Sequence, residues 1–320
     1  MAKKGKKRRF RKFFIFLFFC FLIYSGICWS FSDQILVPHT SSEKSLERLA
    51  NDGLDYEKIM KELPQPQDFE VYSIDSTLIK GWYFQQDSAA ECAVVLSHGW
   101  TATRISMLRY YDLFDECDCD IVMYDHRAHG ESSGIFATGG VLEREDLITV
   151  TNWLSNKTEL PMSKIGWLGV SWGGATVLQA GSIEKNIGFI VADAPFQDWK
   201  SAITERALVD YGKWVDFFSP MVFTIVNWRT GIDYKNANSA RLAADIEAPV
   251  LLIHSKDDSQ TASTQSVNIS KNLNKNSVFH HLNWGSDHSK DITQNKERYA
   301  LLVSEFLEKK VGNIGTCADY

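Results

Sequence analysis

Gly169-Val170-Ser171-Trp172-Gly173 is the stretch on which the reading of this chain turns. The apolar run before it, Lys164-Ile165-Gly166-Trp167-Leu168, reads as a short buried strand. The run after it, Gly174-Ala175-Thr176-Val177-Leu178-Gln179-Ala180, reads as a helix start. Strand, G-x-S-x-G and helix, in that order, are the context of a nucleophile elbow. The serine takes a strained position on a tight turn, and the flanking glycines let neighbouring backbone approach closely. The same five letters also fit a glycine-rich turn with a bystander serine, so the rest of the chain must supply its partners.

A serine hydroxyl is a weak nucleophile and needs a base in hydrogen-bond reach, with a third group to orient that base. Behind such an elbow the chain order is serine, acid, histidine. The acid is expected just past a late strand, and Val250-Leu251-Leu252-Ile253-His254-Ser255-Lys256-Asp257-Asp258 provides two carboxylates there. The base is expected in a loop before the last helix, where Trp284-Gly285-Ser286-Asp287-His288 lies. Of the eight histidines, His39, His98, His126 and His129 precede the serine. His254 ends a strand, and His280 and His281 sit within one. His288 alone has the expected position. Acyl transfer also needs donors aimed at the developing oxyanion. The backbone N–H of Trp172, directly after the serine, is one candidate, and that of Trp100, in Ser97-His98-Gly99-Trp100 after another strand, is the second.

Taken together, Ser97-His98-Gly99-Trp100, Tyr124-Asp125-His126-Arg127-Ala128-His129-Gly130-Glu131-Ser132, Gly169-Val170-Ser171-Trp172-Gly173-Gly174, Ile253-His254-Ser255-Lys256-Asp257-Asp258 and His288 resemble the α/β-hydrolase superfamily in order and spacing, over roughly residues 67 to 311. The likeness is to bacterial cell-surface hydrolases with an N-terminal anchor, near the serine-aminopeptidase-like and depalmitoylase-like branches. It implies Ser171 as nucleophile, His288 as base and, from a His-Gly-x-x-Asp pattern, Asp258 as acid. Ser255 departs from the glycine of that pattern, which keeps Asp257 open as the acid, with Asp193 a more remote choice. Ala128 also replaces a common glycine, in a turn read as structural, as are Glu143 and Asp146.

The fold expected is α/β. A hairpin, Phe69–Ile74 and Thr77–Phe84 about a turn at Asp75-Ser76, opens the body. Strands at 92–96, 120–124, 165–168, 188–192, 250–253 and 278–282 then alternate with helices at 105–117, 142–154, 260–273 and 293–311, predicting a sheet that starts antiparallel and continues parallel, with helices on both faces. Residues of about 197–248 interrupt this alternation. Trp214, Phe217, Phe218 and Met221 fall there at helical spacing, until Pro220 bends or restarts the helix. This segment reads either as core packing or as a helical cap over the site.

Charge is distributed unevenly. The net charge is −6, yet the first 32 residues carry eight Lys/Arg and no acid, leaving 26 basic against 40 acidic side chains beyond them. An acidic body of that kind is no nucleic-acid binder. The basic cluster runs into Phe13–Phe31, nineteen uncharged and mostly apolar residues. At about 1.5 Å per residue they nearly match a hydrocarbon core of about 30 Å. Positive charge on the N-terminal side predicts an uncleaved single-pass anchor in the cell membrane, tail cytoplasmic and body extracellular. A cleaved signal would need a better small-x-small site than Cys28-Trp29-Ser30.

The organisation expected is a basic cytoplasmic tail at 1–12, a transmembrane signal anchor at 13–31, a juxtamembrane helical segment at 32–66 and the hydrolase domain at 67–320. With the site residues all beyond Phe69, a chain lacking residues 1–32 should keep its active site intact. Cys92, Cys117, Cys119 and Cys317 fit no zinc pattern and read as incidental, with disulfide use undecided. The function expected is hydrolysis of a carboxylic ester or thioester through an acyl-serine. The substrate would be a small-molecule or lipid-like acyl compound, with no cofactor, no metal and no obligate protein partner. A serine peptidase of the prolyl oligopeptidase-like type is the alternative, from Gly173-Gly174, although no long N-terminal propeller region precedes the body. A non-catalytic anchored binding protein is the other.

Overall fold

A computed structural model describes residues 2–86, 90–115 and 117–312. Eight strands form one sheet in the order β1-β2-β4-β3-β5-β6-β7-β8. They are β1 Gln67–Tyr72, β2 Leu78–Phe84, β3 Ala93–Ser97, β4 Asp120–Tyr124, β5 Ile165–Val170, β6 Phe189–Asp193, β7 Val250–Ser255 and β8 Val278–Leu282. β1 pairs antiparallel with β2 and β2 with β4, whereas every later pair is parallel. The mixed sheet read from the sequence is therefore present.

The five strands from β3 to β7 are buried along their whole length, as parallel strands covered on both faces must be. Alternation assigns their side chains to two cores. Val94, Leu96, Leu168 and Val191 face one, and Val95, Trp167, Ile190 and Ala192 the other.

The helices are α1 Ala2–Leu36, α2 Ser42–Asn51, α3 Tyr56–Glu62, α4 Asp112–Asp115, α5 Glu143–Thr158, α6 Trp172–Gly181, α7 Trp199–Tyr211, α8 Ser219–Thr230, α9 Ser239–Leu242, α10 Thr264–Ser270, α11 Asp291–Gln294 and α12 Lys296–Phe306. Two expected helices are shorter than predicted. The 105–117 segment is a tight 3-10 turn over Arg104–Tyr110 followed by α4. Its first amide, that of Arg104, donates to Asp125 Oδ1 at 2.7 Å. The 260–273 segment becomes helical only at Thr264, because the Gln260 and Thr261 amides donate to Asp258 Oδ1 at 2.8 Å each. Asp258 thus shapes its own loop.

Cys92 and Cys119, expected to be incidental, form a disulfide across the starts of β3 and β4. Closing a loop with a sequence separation of 27 constrains the unfolded chain by an amount on the order of 3 kcal/mol. Cys317 lies outside the described residues.

The expected boundary at residue 31 is not a boundary in the chain's conformation. Helix α1 continues unbroken to Leu36. Its segment Arg8–Leu36 is, among the described residues, the one helix long and apolar enough to cross a membrane, with mean hydropathy 2.1 over its most apolar 18 residues. Along its last turns one stripe turns inward, with Cys28, Ser32, Ile35 and Leu36 all buried. Cys28, Ile35 and Leu36 join Trp172, Phe196, Trp199, Val222 and Val226 in a third core, made between α1, α6 and the inserted helices α7 and α8. Polar contacts fix the same seam. Arg229 pairs with Asp33 at 2.7 Å and donates to Ser32 Oγ at 2.7 Å, Tyr211 Oη donates to Gln34 at 2.8 Å, and the Ala137 amide donates to Leu36 O at 2.9 Å.

The aromatic stripe of the inserted segment divides there. Phe218 and Met221 pack on the third core, while Trp214 and Phe217 stay exposed. Pro220 lies in the first turn of α8, where its missing N–H costs nothing.

This seam argues against the expectation that residues 1–32 are dispensable to the body. Removing them strips Cys28 and Phe31 from the third core and Ser32 from Arg229 of α8. A chain starting at Asp33 should show a lower thermal midpoint than the detergent-solubilised full chain, and limited proteolysis should cut first between 199 and 230. Equal midpoints and equal cleavage patterns would restore the independent-body expectation.

Candidate active site

β5 ends at Val170, and the next residue, Ser171, takes φ 55° and ψ −110° before α6 begins at Trp172. For a residue with a Cβ this conformation costs on the order of 1–3 kcal/mol. It persists because the neighbours leave no alternative path. The Ser171 amide donates to Asp193 O at 2.7 Å. A Cβ on Gly173 would stand 2.0 Å from Ser97 O, and one on Gly169 would stand 2.2 Å from Gly173 O. The elbow therefore closes only with glycine at both positions.

Asp258 follows β7 and has its side chain almost fully buried. All four acceptor sites of its carboxylate are used. Oδ1 takes the Gln260 and Thr261 amides, and Oδ2 takes His288 Nδ1 at 2.6 Å and His254 Nε2 at 3.0 Å. Burial alone would push this carboxyl up, but the two histidine hydrogen bonds and the Thr261 amide outweigh it and hold it far below the ordinary range. Since Nδ1 of His288 meets a carboxylate, it carries the proton, and Nε2 is left as the acceptor. At His254, Nε2 faces the carboxylate and Thr261 O, so that nitrogen is the donor while Nδ1 accepts from Ser266 Oγ at 2.7 Å. Sequence reasoning passed over His254 as a strand-end residue. Its spacing of four before Asp258, at the end of the strand that leads into that loop, was the available signal.

The alternatives stand elsewhere. Asp257 is exposed. Asp193 is buried beneath the elbow, where its Oδ2 accepts from the Tyr110 and Tyr299 hydroxyls at 2.9 and 3.1 Å. Burial pushes its carboxyl up, against those hydrogen bonds. Glu143 is used up on the Thr138 and Gly140 amides and the Thr138 hydroxyl, and Asp146 on Arg127.

Ser171, His288, Trp100 and Trp172 border one cavity of ≈480 Å³, together with Trp199 and Phe218 from the inserted helices. The Trp100 and Trp172 amides donate to no group among the described residues, as suits oxyanion donors. Their rings lie against each other, centroids 4.7 Å apart. Three residues of α1, namely Phe31, Gln34 and Ile35, also line this cavity. No motif marked them, because their role comes from the seam.

Behind the Trp100 loop, His98, His126 and His129 form a buried cluster, with ring centroids 4.6 to 6.1 Å apart. His98 Nδ1 donates to Gly99 O at 2.8 Å, and its Nε2 accepts from the His126 amide at 3.0 Å. The cluster thus holds the turn that presents Trp100.

A family model, the prolyl oligopeptidase family, matches residues 134–313. The chain belongs to the prolyl oligopeptidase family. Its fold is that of the α/β hydrolases, and membership of that family makes it a hydrolase. An uncharacterized protein of Bacillus subtilis (strain 168), YqkD, is 27% identical over 283 residues, covering 87% of this chain and 91% of that protein. Among solved structures, the Pyrococcus furiosus esterase Pf2001 aligns with TM-score 0.64 at 23% identity, over 79% of this chain and 94% of the esterase. The Pyrococcus horikoshii acylaminoacyl peptidase aligns with TM-score 0.60 at 21% identity, over 82% of this chain and 45% of the peptidase. In this member of the prolyl oligopeptidase family, the match begins at Gly134 and runs through Ser171, Asp258 and His288.

The buried histidines set a pH dependence. Burial lowers His98 to about 4 and His129 to about 3, and carries His126 far below its ordinary value. Each takes up a proton more readily in the unfolded chain, so stability is complete above about pH 6.5 and drains as pH falls toward the folded values. The slope is on the order of 1.4 kcal/mol per pH unit per histidine. Urea midpoints should therefore drop between pH 7 and pH 5. His129→Gln, which removes the ring whose Nε2 has no partner, should flatten that drop. Midpoints constant over this range would contradict the burial of neutral rings.

Proposed function

We propose that this protein is a membrane-anchored serine hydrolase that cleaves a carboxylic ester or thioester through an acyl-serine. Ser171 is the nucleophile, His288 the general base and Asp258 the acid that orients it. The observation carrying this reading is the 2.6 Å contact between Asp258 Oδ2 and His288 Nδ1, on a histidine that borders the same cavity as the elbow serine. Attack by Ser171 Oγ on the carbonyl carbon sends its proton to His288 Nε2. The imidazolium then faces a carboxylate already held ionised. The Trp100 and Trp172 amides receive the oxyanion, and water, deprotonated by the same histidine, releases the acid.

Peptide cleavage is the second reading, favoured by the family match. Parallel assays of ester, thioester and amide substrates of one acyl group discriminate the two. An anchor through α1 with the body outside the cell is supported by the eight preceding cations and by the Cys92–Cys119 disulfide, since such bonds persist in oxidising compartments.

Ser171→Ala should abolish turnover and covalent labelling by a fluorophosphonate; labelling at the wild-type level would remove the proposal. Asp258→Asn should lower kcat by about 10⁴, as expected when a base loses its orienting carboxylate, and Asp257→Asn should change it less than threefold on the order-of-magnitude scale of exposed surface changes. Equal, mild effects of the two would send the acid's role to Asp193. Protease added outside wall-stripped cells should degrade the body and leave the basic tail protected. Full-length protein in the medium with a new N-terminus near Phe31 would instead mark a cleaved signal.

A further inference from the structure

The cavity beside Ser171 and His288 is closed partly by the anchor itself. Phe31, Gln34 and Ile35 of α1 line it together with Tyr211, Val215 and Phe218 of the inserted segment, and the Phe31 ring packs on those of Tyr211 and Phe218, with centroids 5.4 and 5.9 Å apart. These contacts lie at the end of the apolar run. Tyr24 lies seven residues before Phe31, about 10 Å back along the helix at 1.5 Å per residue. There it stacks on Phe218, with centroids 5.1 Å apart, and meets Phe217 edge-on at 5.2 Å.

A helix spanning the bilayer through Phe13–Phe31 holds those rings at the same depth. The outer side of the inserted segment is suited to that place. Trp214, Phe217 and Trp228 are 56%, 71% and 74% exposed, and Trp228 lies 5.9 Å from Trp29 of α1. Aromatic rings of this kind collect at membrane–water interfaces. The apolar cavity thus sits at lipid level.

A second cavity, of ≈320 Å³, meets Ser171 and His288 as well, and its lining is cationic. Arg48, Arg109 and Lys290 face it with Asp52. Arg109 pairs with Asp52 at 3.1 Å, and Lys290 pairs with the same carboxylate. Arg48 bonds instead to Thr101 Oγ1 at 2.8 Å and has no carboxylate at ion-pair distance among the described residues. Burial and the neighbouring Arg109 both press on its charge. Arg109 Nε and Ser289 Oγ are buried with no hydrogen-bond partner, and Ser289 is only 6% exposed. Buried polar atoms in that state cost free energy that a ligand's acceptor oxygens would offset.

We propose that the substrate is an anionic single-chain amphiphile of the adjacent leaflet, with its acyl chain between α1 and the inserted helices and its anionic alcohol portion in the cavity of Arg48, Arg109 and Lys290. This rests on the reading of Ser171 as nucleophile. Ser171 Oγ bonds to the ester carbonyl carbon while its proton passes to His288. The ester C–O bond breaks, and the departing alkoxide takes that proton and leaves on the cationic side. Water then adds its oxygen to the acyl carbon and returns a proton to Ser171, releasing the fatty acid.

The test uses the full chain in vesicles with four probes: palmitoyl lysophosphatidylglycerol, which is anionic, uncharged monopalmitoylglycerol, and the butanoyl analogue of each. The anionic palmitoyl probe should exceed both the uncharged palmitoyl and the anionic butanoyl probe in kcat/KM by about tenfold or more, the scale of one hydrogen bond to a charged group. Arg48→Gln should collapse the head-group ratio, and Ile35→Trp, which fills the acyl cavity, should collapse the chain-length ratio. Fluorophosphonate labelling of each protein reports whether the elbow is intact, and the wild-type ratios decide even where a variant fails to fold. Equal kcat/KM for charged and uncharged heads, or no turnover of either palmitoyl probe by a protein that labels, overturns the substrate and leaves the hydrolase reading standing. A wild-type protein that neither labels nor turns over any probe overturns the hydrolase reading itself.

Discussion

Everything at the candidate site depends on one backbone constraint, the left-handed conformation of Ser171 between β5 and α6. Two glycines allow it, because the Ser97 carbonyl and the start of α6 come so close that a methyl group at Gly169 or Gly173 would overlap backbone. The consequence is positional. The serine oxygen is lifted off the carboxyl end of a central strand while the first amides of α6 stay unused. The Trp100 turn on neighbouring β3 is brought beside it, since β3 and β5 pair in register from Ala93 to Ser97. A site assembled this way inherits the rigidity of the sheet, and strain in one residue is held by the burial of five strands.

The acid side works on a different physical principle. Asp258 sits on a loop rather than a strand, so its position has to be made by hydrogen bonds. It receives four, two from its own loop and two from histidines. His254 matters here because it belongs to β7 and to neither of the loops that meet at the site. It ties the carboxylate to the sheet, and its other nitrogen is held by Ser266 on α10, so that His288 is oriented by a group that is itself anchored. Asp287 does the same for the histidine loop, accepting from the Ser259 and His288 amides.

How much of this was legible in the sequence depends on the range of each interaction. The strands near Asp120 and Val278 and the elbow are local signals, set by apolar runs and glycine positions within a few residues, and they read directly from the chain. The order of the eight strands was legible only as a class, since pairing joins residues far apart. The late start of α10 was not legible from pattern, because Gln260 and Thr261 have ordinary helical neighbours and lose their place in the helix to a carboxylate. The Cys92–Cys119 bridge was equally hidden, as it depends on β3 lying next to β4. The preference for Asp258 over Asp257 was readable from spacing and resemblance. Its physical cause, one side chain turned inward to four donors and the other left in water, is visible only in three dimensions.

The anchor is where sequence logic and physical structure part most sharply. Hydropathy treats Phe13–Phe31 as a unit defined by its solvent, and a boundary drawn there separates membrane from enzyme. The side chains draw a different line. Cys28, Ser32, Ile35 and Leu36 recur at the spacing of one helix face and are buried, the three apolar ones among Trp172, Trp199 and Val226. Trp172 is the residue after the elbow serine, so the same indole that starts α6 also closes the core against α1. Burying four side chains of a helix end against a preformed core stabilises both partners, whereas a flexible tether would leave both exposed. Helix α1 is therefore continuous with the packing of the candidate site, and under the proposed anchoring its depth and tilt in a bilayer would constrain how the cavity beside Ser171 meets the lipid.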